Sequence, residues 1–573
     1  MMPAHETYDV IVIGAGAGGM TAAAVAAAEG LRVLVIEKTA FVGGTTAWSG
    51  GMIWIPANAK MEAGLSDSIT DAVQYLSSTV PEPANAGLRA AFLARGPEAI
   101  GYLEANTEVR LQPVKDYPDY YPERLGATRG GRVLEPAAFD GVWLGKSLAR
   151  LRPPPPECPR FGGMMVNRLD ISHLGRIGTS LRSTLRAAQL FSSYAWQRLR
   201  SPHGTILHPG NALAAQLYAT LLARRVEILF SAGVEDLSMR DEHVAGVVIR
   251  HGARDRLIAA RRGVVLATGG FSYDASLRQR FFPAGAGFIS AACASGTGDG
   301  IRLAIAAGAA LNTDATSAAY WVPVSLFRRT DGSRGVFPHM VTDRAKPGVI
   351  AVNAAGRRFV NEALSYHEFV LAMFRDGNGE PDLPFYLICD RDFLWSYGLG
   401  RIKPFTRRVR RYVASGELIR APDVAQLAAK IGIKPSTLSA TIAAYNADAK
   451  EGRDPEFGRG STTYQRHLGD ATLRPNPCVA PIVRAPFFAL RIYPADLGTA
   501  IGMTVDAQAR VLRKDGTPIA GLYACGNDMA SIMNGNCPGP GITLGPALTF
   551  GYIAGRHLAE GSVAASGATK ASA

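Results

Sequence analysis

YDVIVIGAGAGGMTAAAVAAAEGLRVLVIEK (residues 8–38) opens on an apolar, β-branched run from Asp9 to Ile13. Gly14, Gly16, Gly18 and Gly19 follow, then an alanine-rich helical run and a second apolar run from Arg32 to Ile36. An acid, Glu37, stands 23 residues after Gly14. Strand, glycine turn, helix, strand and acid in that order make a dinucleotide-binding βαβ unit. Gly14 permits the tight turn, Gly16 lets a pyrophosphate reach the backbone, and Gly19 lets helix and strand pack closely. The phosphates then face a helix N-terminus, and Glu37 accepts from ribose hydroxyls. The pattern predicts an α/β fold with a Rossmann-like cofactor domain; a plain βαβ unit without ligand is the alternative.

The next stretch separates flavin from nicotinamide. FVGGTTAWSGGMIWIPAN (residues 41–58) places Gly43, Gly44, Thr45, Thr46, Ser49, Gly50 and Gly51 directly after the acid, where a nicotinamide fold continues with an ordinary helix. Small hydroxyl and glycine residues there suit a second cradle, for phosphates and the face of a flavin ring. Much later, GVVLATGGFS (residues 263–272) reads as a buried strand ending in Thr268, Gly269 and Gly270. GLYACGND (residues 521–528) reads as another, ending in Gly526, Asn527 and Asp528. Strand ends so far apart in sequence converge on one ligand in a two-piece flavin domain.

At 573 residues, 47% hydrophobic and 19% charged, the chain is long enough for two to four domains of roughly 150 residues. Its six cysteines (Cys158, Cys293, Cys389, Cys478, Cys525, Cys537) form no CxxC pair and read as reduced thiols. The histidines fall in no ligand spacing, so no metal is expected. The N-terminus carries no charged-then-apolar signal and no apolar run reaches the ~18 residues of a membrane span, which makes the expected location cytoplasmic. The net charge of +13 is uneven: from Lys146 to Arg200 ten basic residues face only Glu157 and Asp170. Charge concentrated this way marks a local surface rather than a nucleic-acid binder.

The motifs GGTTAWSGGMIWIP, GNALAAQL (residues 210–217), GTGDG (296–300), GRRFVNEALSYHEF (356–369), YPADLGTA (493–500) and GPGITLGPALTFGY (539–552) run through nearly the whole chain. In them the sequence resembles the FAD-dependent fumarate reductase and 3-ketosteroid dehydrogenase family, and most closely its 3-ketosteroid Δ1-dehydrogenase branch. The resemblance implies a first FAD-binding part at residues 7–279, a cap at 280–488 and a second FAD-binding part at 489–573. It implies non-covalent FAD, consistent with the lack of a histidine in residues 41–58. It also adds Lys38, Val234, Gly541, Ile542 and Leu544 to the cofactor set. The helix starting near Leu544, with Pro546 in its first turn, would aim its positive end at the flavin's pyrimidine edge.

Fumarate-type members grip two carboxylates with arginine and histidine; here Asp496-Leu497-Gly498-Thr499 and Cys537-Pro538-Gly539 stand at those places. The ketosteroid branch works with tyrosines. In YPDYYPE (residues 117–123) and NEALSYHEF the resemblance implies Tyr366 as the base that takes a proton beside a ketone, with Tyr120 as its supporting partner. It implies Gly541 as one donor to the carbonyl oxygen, while the second donor, a tyrosine in that branch, is replaced by Cys537, a weaker one. Tyr117, Tyr320, Trp321 and Gly539 are the expected substrate-pocket residues, with ordinary core packing the equal alternative for Tyr320 and Trp321. The reaction expected is dehydrogenation of an apolar cyclic ketone such as a 3-oxosteroid, with electrons passing to a quinone-like acceptor. The alternatives are the reverse, an enone or fumarate-type reductase, and a non-catalytic flavin-binding protein. The insertion at residues 146–200 predicts a basic amphipathic helix from Leu181 to Arg200, suited either to solvent or to an anionic membrane surface through residues 176–200.

Overall fold

In the computed structural model the described residues are 6–567, apart from 62–63, 82–84, 156–159, 162–163, 167–169, 171–172, 175–176, 179, 200–203, 252–253, 341–342 and 378–382. Glu157, Cys158 and Arg200, all named above, lie outside them, as does Arg176 at the start of the 176–200 segment.

The N-terminal βαβ unit forms as β1 (Glu6–Ile13), α1 (Ala17–Ala28) and β2 (Val33–Glu37). These strands are buried Val, Ile and Leu runs, as a parallel sheet covered on both faces requires. With β3 (Glu227–Phe230), β4 (Gly233–Arg240), β5 (His243–His251) and β6 (Arg254–Leu266) they build a sheet in the order β3-β2-β1-β6-β5-β4. The first four strands in that order are parallel, and β5 and β4 close the edge antiparallel.

The cap carries a second sheet, from β7 (Ala319–Arg328), β8 (Arg334–Pro338), β9 (Val349–Val352), β10 (Phe385–Cys389), β11 (Leu418–Ala421) and β12 (Phe487–Thr499), all paired antiparallel. Helix α2 (Tyr366–Asp376) lies against β7. A satellite core under the helices Val424–Lys430 and Pro435–Ala449 includes Ile350, Ile388, Leu427 and Leu438.

The chain then returns to the first sheet. β13 (Pro518–Ala524) pairs parallel with β6, Leu522–Ala524 against Val264–Leu266, so the cofactor domain is made of two pieces. The last helix, α3 (Leu544–Gly567), packs on α1. Glycines set that approach: a Cβ on Gly551 would stand 2.6 Å from the Gly18 carbonyl oxygen, and one on Gly555 2.8 Å from the Val25 Cβ.

Two expectations need correction. The cap boundary expected at residue 488 falls inside β12, which pairs with cap strands as far as Thr499. The insertion helix runs Leu181–Arg198, but its buried positions are Ser183 and Ala187, with Leu190 and Tyr194 packed beside them. Leu181, Leu185 and Leu199 are 78%, 62% and 77% exposed. The small residues allow close contact inward and leave Leu181, Leu185 and Leu199 outside.

Candidate active site

The glycines sort into two physical classes. Gly14, at φ 104°, would drive a Cβ to 2.3 Å from the Ala267 carbonyl oxygen, and a Cβ on Gly19 would meet the Gly14 oxygen at 2.1 Å. Gly43, Gly51 and Gly270 are similarly crowded, by Ala47, the Pro209–Gly210 backbone and Thr499. These positions serve packing. Gly16, Gly44, Gly50, Gly269 and Gly526 face open space instead, the nearest atoms to a built Cβ being 4.0 Å away at Gly16 and 3.9 Å at Gly44. Gly16 caps α1, so its space lies at a helix N-terminus. The open class, drawn from four separate segments, fits an extended dinucleotide.

The neighbouring side chains hold this cradle. Thr46 Oγ1 accepts from Ala17 N at 3.0 Å, and Thr45 Oγ1 from Cys293 N at 3.1 Å. Ser49 Oγ accepts from Gly51 N at 3.1 Å. Glu37 accepts from Ala15 N at 3.0 Å and Thr39 N at 2.9 Å, which fixes its carboxylate at the end of β2. Lys38 reaches across to Asp299 at 2.7 Å, tying β2 to the GTGDG segment. Val234 is partly buried and paired with Ile249 at the sheet edge. Gly18 packs against Cys525 and the Gly526 backbone. Asp528 is wholly buried and accepts from Thr268 N at 2.5 Å and Gly270 N at 2.8 Å, knitting the two strand ends together. Burial pushes its carboxyl above the ordinary range. Leu544 begins α3, and a cavity beside it is lined by Gly526, Asn527, Ile542, Tyr320 and Ser531.

Next to this cavity lies a cluster of tyrosines around one thiol. Tyr366 is the first residue of α2, whose cap Ser365 accepts from Glu368 N at 3.2 Å. Cys537 Sγ stands 3.9 Å from the Tyr366 hydroxyl, and the Tyr120 ring meets the Tyr366 ring edge-on at 6.1 Å. Burial holds the Tyr366 phenol well above its ordinary pKa; Cys537 adds to this, and a hydrogen bond with Tyr120 opposes it. Burial likewise raises the Cys537 thiol, to about 12. A resting thiolate is therefore disfavoured, which argues against Cys537 as a nucleophile.

The loop carrying Cys537 is pinned from several sides. Pro538 O accepts from Tyr120 N at 3.0 Å and from the Tyr75 hydroxyl at 2.5 Å. A Cβ on Gly539 would strike Trp54 Nε1 at 2.8 Å, so this expected pocket residue seats Trp54. Trp54 Nε1 donates to Asp119 at 2.8 Å, and Arg132 bridges Asp119 and Asp67 at 2.8 and 2.6 Å, all buried. Gly541, at φ 87°, has no room for a Cβ beside the Met52 oxygen at 2.4 Å. Its carbonyl accepts from Trp54 N, and its own N–H has no partner among the described residues.

Tyr320 lines the cavity and its hydroxyl contacts Ser531 Oγ. Trp321, expected as a pocket wall, is instead core: its ring packs edge-on against Phe282 and Phe374, and its Nε1 donates to Ser317 at 2.7 Å. The Tyr117 ring packs against His467 at 4.8 Å, tilted by 59°. Sequence reasoning missed three partners. Tyr464 packs its ring 4.6 Å from Tyr120, Tyr75 holds the cysteine loop, and Tyr121 donates to Glu368 at 2.8 Å near Cys537. Tyr464 sits in no recognisable motif; Tyr121 adjoins Tyr120 in the same tyrosine-rich segment.

The family described as "FAD binding domain" matches residues 9–544. The chain belongs to this family. It is 35% identical to 3-oxosteroid 1-dehydrogenase of Mycolicibacterium smegmatis over 98% of both chains. It is also 35% identical to 4-oxocyclohex-2-ene-1-carboxylate 5-dehydrogenase of Sinomonas cyclohexanicum, over 96% of this chain and 94% of that one. The crystal structure of 3-ketosteroid Δ1-dehydrogenase from Sterolibacterium denitrificans in complex with 1,4-androstadiene-3,17-dione superposes with a TM-score of 0.90 at 35% identity, covering 97% of this chain and 100% of that one. The chain is thus an FAD-dependent oxidoreductase of the CH–CH dehydrogenase class, 3-oxosteroid 1-dehydrogenase-like.

Proposed function

We propose that the chain dehydrogenates the ring of a neutral 3-oxosteroid next to its ketone, with Tyr366 as the base. The observation that carries this reading is the buried Tyr366–Tyr120–Cys537 group beside the open glycine cradle. Tyr366 at the N-terminus of α2 meets the helix's positive end, which favours the phenolate formed when its proton leaves. Tyr120 stabilises that phenolate by hydrogen bonding, and the surrounding aromatic burial keeps the pair dry. The Gly541 N–H, supported in place by Trp54, donates to the carbonyl oxygen as negative charge builds on it; Cys537 is a weak second donor. FAD would be held without a covalent bond at Gly16, Gly44, Gly50, Gly269 and Gly526, and when bound would supply the hydride acceptor for the adjacent carbon.

The nearby arginines support a ketone over a dicarboxylate. Arg278 is committed to the buried Asp496 at 2.6 Å and to carbonyls of Ser272 and Gly287, and Arg132 to Asp67 and Asp119. Neither remains to grip a substrate carboxylate. Electrons then pass to a quinone-like acceptor. No described helix is long and apolar enough to cross a membrane. The outward Leu181, Leu185 and Leu199, with Trp196 59% exposed near the C-terminal end of helix Leu181–Arg198, support a cytoplasmic enzyme resting on the inner membrane face.

Anaerobic mixing tests the reaction. A saturated-ring 3-oxosteroid should bleach the bound flavin within the mixing experiment, and heat-denatured protein should release its yellow cofactor. A pre-reduced protein reoxidised by enones, with no bleaching by any ketone, would sink the proposal and favour a reductase.

A further inference from the structure

Between Arg401 and Arg411 the chain reads RIKPFTRRVRR, six cations and no acid. Phe405 lies within this cap segment with φ 60°, in the left-handed region that a bulky side chain avoids. Its ring is 45% exposed and meets the Trp395 ring edge-on at 5.5 Å, also 45% exposed. The Phe405 N–H, donating to Trp395 O at 2.8 Å, fixes this pose. A strained residue that shows a large apolar ring to water costs stability twice, and such positions persist where the ring has something to touch.

The charge around the pair is predominantly positive; Asp392, on the same helix as Trp395, is paired with Arg391 at 3.1 Å and Arg484 at 3.9 Å. Arg401 neutralises the buried Glu417 at 2.7 Å while its guanidinium lies over the Phe327 ring at 4.1 Å. Arg411 lies over the Tyr412 ring at 4.6 Å, and Arg407, Arg408 and Arg410 are exposed. Arg491 extends the surface by donating to Gly416 O at 3.4 Å.

We infer that this face of the cap docks on an anionic phospholipid surface. Trp395 and Phe405 enter the boundary between headgroups and acyl chains, and Arg407, Arg408, Arg410 and Arg411 meet lipid phosphates. An acidic protein or a nucleic acid would use the cations but leave the strained, exposed aromatic pair without a role; a bilayer uses both. The face shares no residue with helix Leu181–Arg198, so the two surfaces can be tested apart.

The test is sedimentation of full-length holoenzyme with phosphatidylcholine vesicles, with and without phosphatidylserine. Binding should require phosphatidylserine and weaken with salt. The Arg407→Gln/Arg408→Gln variant should lower partitioning by roughly twenty-fivefold, from about fivefold per arginine near an anionic surface. Phe405→Asn should weaken vesicle binding severalfold while raising Tm, because asparagine tolerates the left-handed backbone. In both variants steroid-driven bleaching in detergent-free buffer should stay at the wild-type rate. Wild-type partitioning by either variant would overturn the inference. So would variants that lose affinity for polyglutamate or single-stranded DNA while still binding vesicles normally. A Leu185→Ser/Leu199→Ser variant in the helix should leave the cap-dependent share of binding in place; loss of all binding there, with the cap variants unaffected, would also overturn it.

Discussion

Tyr366→Phe removes one hydroxyl and little else. The ring stays seated at the start of α2, and the lost group contacts only neutral partners, Cys537 at 3.9 Å and Tyr120. The stability cost should therefore be about 1 kcal/mol or less, the net worth of one hydrogen bond between neutral groups. The rate cost should be much larger. Loss of a general base costs ~10²–10⁴-fold, so the anaerobic bleaching rate should fall by that factor with FAD content unchanged. The pH dependence sharpens the test. The reactive form is the phenolate, and burial holds this phenol above its ordinary 10.0. Bleaching by the wild type should then rise roughly tenfold per pH unit across the alkaline range, without a plateau below pH 10. In Tyr366→Phe that slope should vanish. Stopped-flow absorbance of the flavin band, with circular dichroism as the folding control, measures both. A variant that bleaches at the wild-type rate, or that keeps the wild-type pH slope, would refute the assignment of Tyr366 as the base.

Three further outcomes are expected. Gly16→Val should fold, because Gly16 is extended (φ −84°, ψ −174°) with its nearest neighbour 4.0 Å from a Cβ, yet purify colourless as the side chain fills the phosphate cradle; released flavin absorbance checks it. Cys537→Ser replaces a weak donor with a stronger one of similar size and should raise bleaching severalfold, in line with about 1 kcal/mol for one added hydrogen bond in the transition state. Burial alone would raise the Asp343 carboxyl, but His339 at 2.6 Å more than offsets it and holds the pKa at about 2, below the ordinary 3.8. That stabilisation is present above pH 3.8 and lost as pH falls toward 2, so Asp343→Asn should cost roughly 2 kcal/mol at neutral pH in denaturant titrations and flatten the acid limb.

The cofactor end of the molecule was legible in the sequence because its chemistry is backbone chemistry. A glycine between strand and helix states locally what the backbone must do, and Gly14, Gly16 and Glu37 stand at β1, α1 and β2 as the spacing implies. The tyrosine site was only half legible. Tyr366 and Tyr120 come with motifs, but Tyr464, Tyr75 and Glu368 join them through tertiary packing that no local spacing records. Of the two roles open to Tyr320 and Trp321, pocket wall or core, a local rule separates them. Tyr320 and Trp321 are consecutive on β7, and consecutive strand residues point to opposite faces. One of them had to leave the cavity, and the larger, more apolar ring went into the core with Phe282 and Phe374. The insertion helix has the same lesson in another period. The helix forms as its pattern predicts, but Ser183 and Ala187 form the buried stripe, because small residues let the helix sit close while Leu181 and Leu185 stay outside. Hydrophobicity chose the leucines; shape chose the serine and the alanine. Leucines left exposed by shape on one surface, and Phe405 held exposed by a strained backbone on another, leave this chain with apolar groups facing water that its own packing does not use.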